Sequence, residues 1–256
     1  MGEIWINVIV GISVWILTSV SVFLLAFIPN QYRKRLLSRF WGKEVLGEDF
    51  VVSYGSFLDS RVMEGKGNEF RYVKRYHDGR AVPFVGPWGN VVADAEIRSA
   101  SYIINTLRKY RKMAVPVMDD TTAFNYLNRT FVALGSSSSN QITYLILNEP
   151  NNEFLEFGQE GEDISFILDK KNGTRFIGFQ EPVKKDYGIV LRIQNPRSLG
   201  NFFFVCAGLG EWGTSGASWY LATKWRDLQS EFGDASFGVV VEVVLESDES
   251  ARRVFP

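Results

Sequence analysis

Cysteine and histidine are almost absent from this chain of 256 residues, with Cys206 and His77 the single examples. One cysteine excludes an intramolecular disulfide and any cysteine-based zinc site. With one residue of each type, neither a Cys-His dyad nor a transition-metal cluster is available. A Ser-His-Asp triad would have to use His77, and no G-x-S-x-G elbow is present to supply its nucleophile. His77 falls in His77-Asp78-Gly79-Arg80, which reads as a hairpin turn, so it is expected to be a solvated turn residue rather than a general base. An excess of positive charge is also missing. The formal net charge is -1, which argues against a nucleic-acid partner. No low-complexity tract and no solenoid period is visible, and no G-K-[ST] lysine follows any glycine loop.

Long apolar runs are scarce with one exception, Ile4 to Ile28, which contains no charged residue. At about 1.5 Å per residue a helix of these positions crosses a hydrocarbon core of roughly 30 Å. A cleaved secretory signal is the competing reading. The run is too long for one, the only charged residue before it is Glu3 and not a positive n-region, and no small-x-small cleavage site follows. Residues 4–28 are therefore expected to form a transmembrane helix ended by Pro29 and Asn30. Arg33, Lys34, Arg35, Arg39 and Lys43 lie in a basic juxtamembrane linker, 29–47, that should remain in the cytoplasm with the N-terminus outside. Leu36, Leu37, Phe40 and Trp41 in that linker are expected to lie along anionic headgroups. Asn7, Gly11, Val14, Thr18 and Ser21 share one helical face, a spacing that fits either a homo-oligomer, as far as a pore, or a lone anchor.

Residues 48–256 are enough for one sizeable core. Short β-rich runs at 50–55, 114–118, 130–134, 187–193, 202–207 and 239–245 alternate with helical patterns at 94–112, 140–147 and 214–225. Strands at 71–76 and 81–85 flank the turn at His77, with a loop then expected up to Asn90. Asn172-Gly173 signals a second hairpin between Ser165–Asp169 and Thr174–Phe179. The alternation predicts a Rossmann-like three-layer α/β domain with a mainly parallel sheet and a β-hairpin insertion. Cys206, inside the apolar run Phe202 to Ala207, is expected to be a small core residue.

Two strand–loop–helix units carry the candidate chemistry. Gly208-Leu209-Gly210-Glu211-Trp212-Gly213 matches G-x-G-x-x-G between a strand and a helix, where backbone N–H groups can approach a phosphate. Glu211 puts a negative charge where a pyrophosphate would sit, and no second mononucleotide half follows, so dinucleotide binding by the standard mode is not expected. No cofactor is called for. Gly135-Ser136-Ser137-Ser138-Ser139-Asn140 offers hydroxyls and an amide at a second helix start. If the two preceding strands are neighbours, both loops face one crevice. The expected ligand-binding set is Gly135, Ser136, Ser137, Ser138, Asn140, Gly208, Gly210, Trp212, Gly213 and Thr214, with Trp212 stacking on a base and Thr214 capping its helix or touching phosphate. Two well-capped helix starts with no ligand account for the same residues. The carboxylates Asp94, Glu96, Asp119, Asp120 and Glu211 are the remaining catalytic candidates, with Asp119 and Asp120 placed to hold Mg²⁺ or act as a base.

The segments G-S-S-S-S-N, D-Y-G-I-V-L-R-I-Q-N-P and F-V-C-A-G-L-G-E-W-G-T-S-G-A resemble Rossmann-like ligand-sensing domains of bacterial signalling and defence proteins. Such domains are often attached to a transmembrane helix. The resemblance spans roughly 48–250 and implies sensing of a nucleotide or nucleotide-derived ligand coupled to the membrane. The expected function is thus a membrane-anchored sensor or effector binding a nucleotide-like or phosphorylated small ligand. A membrane-bound carboxylate- or metal-dependent hydrolase or transferase acting on nucleotides or sugars, and a protein-binding scaffold, are the alternatives.

Overall fold

The computed structural model describes residues 2–55, 70–75, 81–86, 92–161, 164–178 and 184–256, with only the backbone course given at 2–11, 20, 22–30, 70–75, 81–86 and 164. His77, its turn and the loop expected at 87–90 lie outside the described residues.

Helix α1 runs from Gly2 to Trp41 without a stop at Pro29. A proline removes one N–H donor. The Arg-, Lys- and Leu-rich segment behind it favours helix, and its last turns are fixed by burial. Leu37, Phe40 and Trp41 are fully buried, so they do not lie along headgroups as expected. They enter the domain core, where Trp41 packs on Phe50 and Phe204 and Phe40 packs on Trp225 and Phe237. Among the described residues no helix is long and apolar enough to cross a membrane. Most side chains of Ile4–Ile28 fall outside them. Within the predicted polar stripe, the Thr18 hydroxyl donates back to the Val14 carbonyl of its own helix.

The domain is a mixed α/β structure around a mostly parallel seven-stranded sheet. Its strands are β1 (Phe50–Tyr54), β4 (Val117–Asp119), β5 (Thr130–Leu134), β9 (Lys185–Gln194), β10 (Phe202–Gly208), β11 (Phe237–Val244) and β12 (Ser247–Phe255), in the order β12-β11-β9-β10-β5-β1-β4. From β4 to β10 every pair is parallel, and β9, β11 and β12 follow antiparallel. β1, β5 and β10 are buried along almost their whole length, which is why they read as continuous apolar runs. Cys206 sits fully buried among them, its thiol pushed up to about 12 by burial.

Helices cover both faces. One face packs against the end of α1, α2 (Asp94–Arg108) and α5 (Glu211–Phe232). The other packs against α3 (Asp120–Ala123), α4 (Gln141–Leu147) and a small sheet of β6 (Leu155–Glu160), β7 (Ile164–Asp169) and β8 (Arg175–Ile177). The Asn172-Gly173 hairpin joins β7 to β8, with Asp169 accepting from the Lys171 and Asn172 amides. β2 (Phe70–Arg75) and β3 (Ala81–Gly86) pair antiparallel.

α2 ends at Arg108, short of the expected Lys112. Arg111 instead turns its guanidinium onto the carbonyls of Val45, Gly47 and Ala114, which knits the chain after α2 to the chain after α1. The predicted strands stop at Leu245, and β12 follows as a nine-residue edge strand whose adjacent charges, Asp248-Glu249 and Arg252-Arg253, break the alternation expected of a half-buried strand.

Candidate functional site

β5 and β10 are neighbours, so their loops emerge side by side at the carboxyl end of the parallel strands. The Gly135 N–H donates to the Cys206 carbonyl and continues the ladder into the first loop. Gly135 has φ +94°, and a Cβ there would lie 2.1 Å from Glu96 Oε1. Both facts require glycine. Ser136 to Ser139 then form one turn, with the Ser136 and Ser138 hydroxyls 2.7 Å apart. Asn140 is fully buried and works as a bracket. Its Oδ1 accepts from the Ile142 and Thr143 amides, and its Nδ2 donates to the Ser53 and Leu134 carbonyls.

In the second loop the amides that a phosphate would use are already engaged. The Gly208 N–H donates to Thr214 Oγ1, and the Leu209 N–H donates to the Tyr187 carbonyl. Asp186 Oδ1 accepts from Gly210 and Asp186 Oδ2 accepts from Gly213 at 2.6 Å. A buried carboxylate of β9 thus occupies the N-terminus of α5, where anions are favoured. Burial raises the Asp186 pKa, against the three amides that favour its charge and with Glu211 adding to the rise. The motif glycines serve contact between α5 and β9: a Cβ on Gly208 would meet the Thr214 nitrogen at 2.3 Å, and one on Gly213 the Tyr187 carbonyl at 2.3 Å.

Between the two loops lies a cavity of about 180 Å³, lined by Glu96, Gly135, Ser136, Gly210, Glu211 and Thr214 with Ala93 at its side. A second, of about 240 Å³, adjoins it at Ser136, Gly208 and Leu209 and is walled by Ser137, Ser138, Phe157 and Gln159. Glu96, only 2 % exposed, reaches across from α2, accepting the Gly55 N–H at 2.7 Å and the Ser139 hydroxyl at 3.3 Å. Two carboxylates, Glu96 and Glu211, and no Lys or Arg line the first cavity among the described residues. The acidity extends to Tyr54, whose pKa is raised by burial and by Asp119, Asp120 and Glu96.

Of the expected binding residues, Gly135, Ser136, Gly208, Gly210 and Thr214 line the first cavity, and Ser137 and Ser138 line the second. Asn140, Gly213 and Trp212 line neither. Asn140 and Gly213 are buried, and Trp212 packs beneath the Arg98 guanidinium, 4.3 Å from the ring centroid. Asp119 caps α3, accepting from the Thr122 amide and hydroxyl, and the buried Asp120 accepts the Gln141 N–H. Among the described residues no group of three His, Cys, Asp or Glu side chains could hold a metal.

Asp186 escaped the sequence reading, although an acid heading the apolar run of β9 is a visible signal. Glu96 was named only as a catalytic candidate. It stands four and seven residues before Ala100 and Ile103, on the buried stripe of α2, and that placement marks it as an interior carboxylate. Compared with family models, with curated proteins and with solved structures, the chain shows no match.

Proposed function

We propose that this chain is a membrane-tethered sensor whose Rossmann-like domain binds a small nucleotide-like ligand in the crevice above β1, β5 and β10. The observation that carries this reading is the divergence of the chain at β5. The chain leaves β10 toward the α5 face and leaves the neighbouring β5 toward the α4 face, which opens a crevice at the strands' carboxyl ends. Open α/β sheets bind ligands at such points.

The lining refines the ligand. Two carboxylates repel a bare phosphate, and Asp186 already fills the α5 N-terminus. Carboxylate, serine and backbone groups suit a partner that presents hydroxyls or N–H donors, such as the sugar and base of a nucleoside. The anchor rests on the uncharged run Ile4–Ile28 at the start of α1. The hydrolase reading has less support, because Asp119 and Asp120 are committed to capping.

The test is a thermal-shift screen of the full chain in detergent against nucleosides, nucleotides and inorganic phosphate, repeated with Ser136→Trp to fill the cavity. A nucleoside-containing compound that raises the melting temperature of the parent, but not of Ser136→Trp, supports the reading. A flat screen with folded protein ends it.

A further inference from the structure

We infer that the face of the domain from which α1 departs docks on an anionic lipid bilayer, with the loop at Leu199 dipping into the headgroups. The inference rests on the proposed anchor and extends it from the helix to the domain itself.

The amino ends of the parallel strands lie on the side opposite the crevice, and the segments leading into them gather around the end of α1. The Lys43 N–H donates to the Gly200 carbonyl, which joins the chain after α1 to the loop before β10. Arg111 joins the same chain to the segment before β4 through Val45 and Gly47. Arg39 pairs with Asp234, just before β11.

Two features of this end suit a bilayer. Leu199 is 90 % exposed at the tip of its loop, and Met113 is 48 % exposed on the segment before β4. Beside Met113, Arg108 and Lys112 line a cavity of about 410 Å³ with Ile104, and Lys109 is exposed next to them. Arg108, Lys109 and Lys112 make no ion pair with a described residue, unlike Arg39 and Arg129. Asp234 and Asp49 at this end are paired with Arg39 and Arg129, and the remaining acids, Glu44 and Glu48, are outnumbered by Lys43, Arg108, Lys109 and Lys112, with Arg33, Lys34 and Arg35 following on α1. Basic side chains set among exposed apolar ones match an anionic headgroup layer. A protein partner would need its own acidic apolar face. The proposed anchor is continuous with the helix that enters this end, which makes a bilayer the surface nearest to it.

The experiment uses the full chain with Leu199→Cys carrying an environment-sensitive fluorophore, since Cys206 is fully buried. The protein is placed in nanodiscs of phosphatidylcholine with and without phosphatidylglycerol. A blue shift in the anionic discs, reversed by salt and by the combined Arg108→Glu, Lys109→Glu and Lys112→Glu variant, is the expected result. A water-exposed probe in both discs, with the chain retained, overturns the docking face and leaves the anchor standing. A chain retained by neither disc overturns both. A shift that depends on protein concentration and not on lipid charge identifies a second copy as the occupant and overturns the lipid assignment.

Discussion

Asp186 and Arg192 share one face of β9 and hold the two ends of α5. Asp186 accepts the amides of Gly210 and Gly213 at the helix start, while Arg192 donates to the carbonyls of Gly233 and Ala235 just past its end. Arg192 also donates to the Phe40 carbonyl and lies 4.9 Å from the ring centroids of Phe40, Phe202 and Phe237. Its burial pulls the guanidinium down to about 10. One strand and one helix therefore span the distance from the crevice to the end of α1.

Removing the Asp186 carboxylate should uncover an anion site. Asp186→Ala leaves the Tyr187, Gly210 and Gly213 amides without their acceptor, at a cost of about 1–3 kcal/mol. Inorganic phosphate should then raise the melting temperature of the variant and leave the parent unchanged. An equal response in both would show that the α5 amides were open from the start.

Gly135→Ala should destabilise the domain on two counts. The left-handed backbone costs an alanine about 1–2 kcal/mol, and its Cβ would collide with Glu96 Oε1. In chemical denaturation the double variant Gly135→Ala, Glu96→Ala should recover the collision and not the backbone cost. Strict additivity would mean that the two residues do not meet.

Tyr102 gives the domain an alkaline limit. Burial and a hydrogen bond donated to Asp248 at 2.9 Å raise its pKa from the usual tyrosine value near 10 to about 12. A raised pKa means that the folded state holds the proton more tightly. The contribution is complete below the unfolded value and is lost as pH rises through the folded one. Tyr102→Phe should lower stability at neutral pH by about 1 kcal/mol and flatten its decline between the two values. Melting curves across that range decide it; an unchanged slope counts against the Asp248 bond.

Trp41→Ala should cost about 3–5 kcal/mol, as expected for a large aromatic lost from a core. Hydrogen exchange should show the loosening in β1 and β10, whose Phe50 and Phe204 contact the indole. A change confined to α1 would make Trp41 a support of that helix alone.

The central strands were legible because burial on both faces writes them as apolar runs, as in Phe202–Ala207. Both glycine loops were legible because turns restrict residue choice. Adjacency of β5 and β10 was only a condition in the sequence, since strand order is set by packing of distant segments. The role of Asp186 was hidden for a similar reason: its partners, Gly210 and Gly213, are remote in the chain. The packing of Trp212 was not legible, because an aromatic in a glycine loop reads the same whether it faces a ligand or Arg98. Linker residues 37–41 misled because basic and aromatic side chains together resemble a lipid-facing helix, and only the open core shows that Phe40 and Trp41 complete the domain.

Both margins of the seven-stranded sheet are blunted. β4 offers Val117–Asp119 alone, behind Pro116, and β12 presents a row broken by Glu249, Arg252 and Arg253, the two arginines tied to Glu242 and Glu231. Short, charged borders resist strand-by-strand addition of another chain. Neighbouring molecules at high concentration therefore find no ready template for amyloid-like stacking on these two margins.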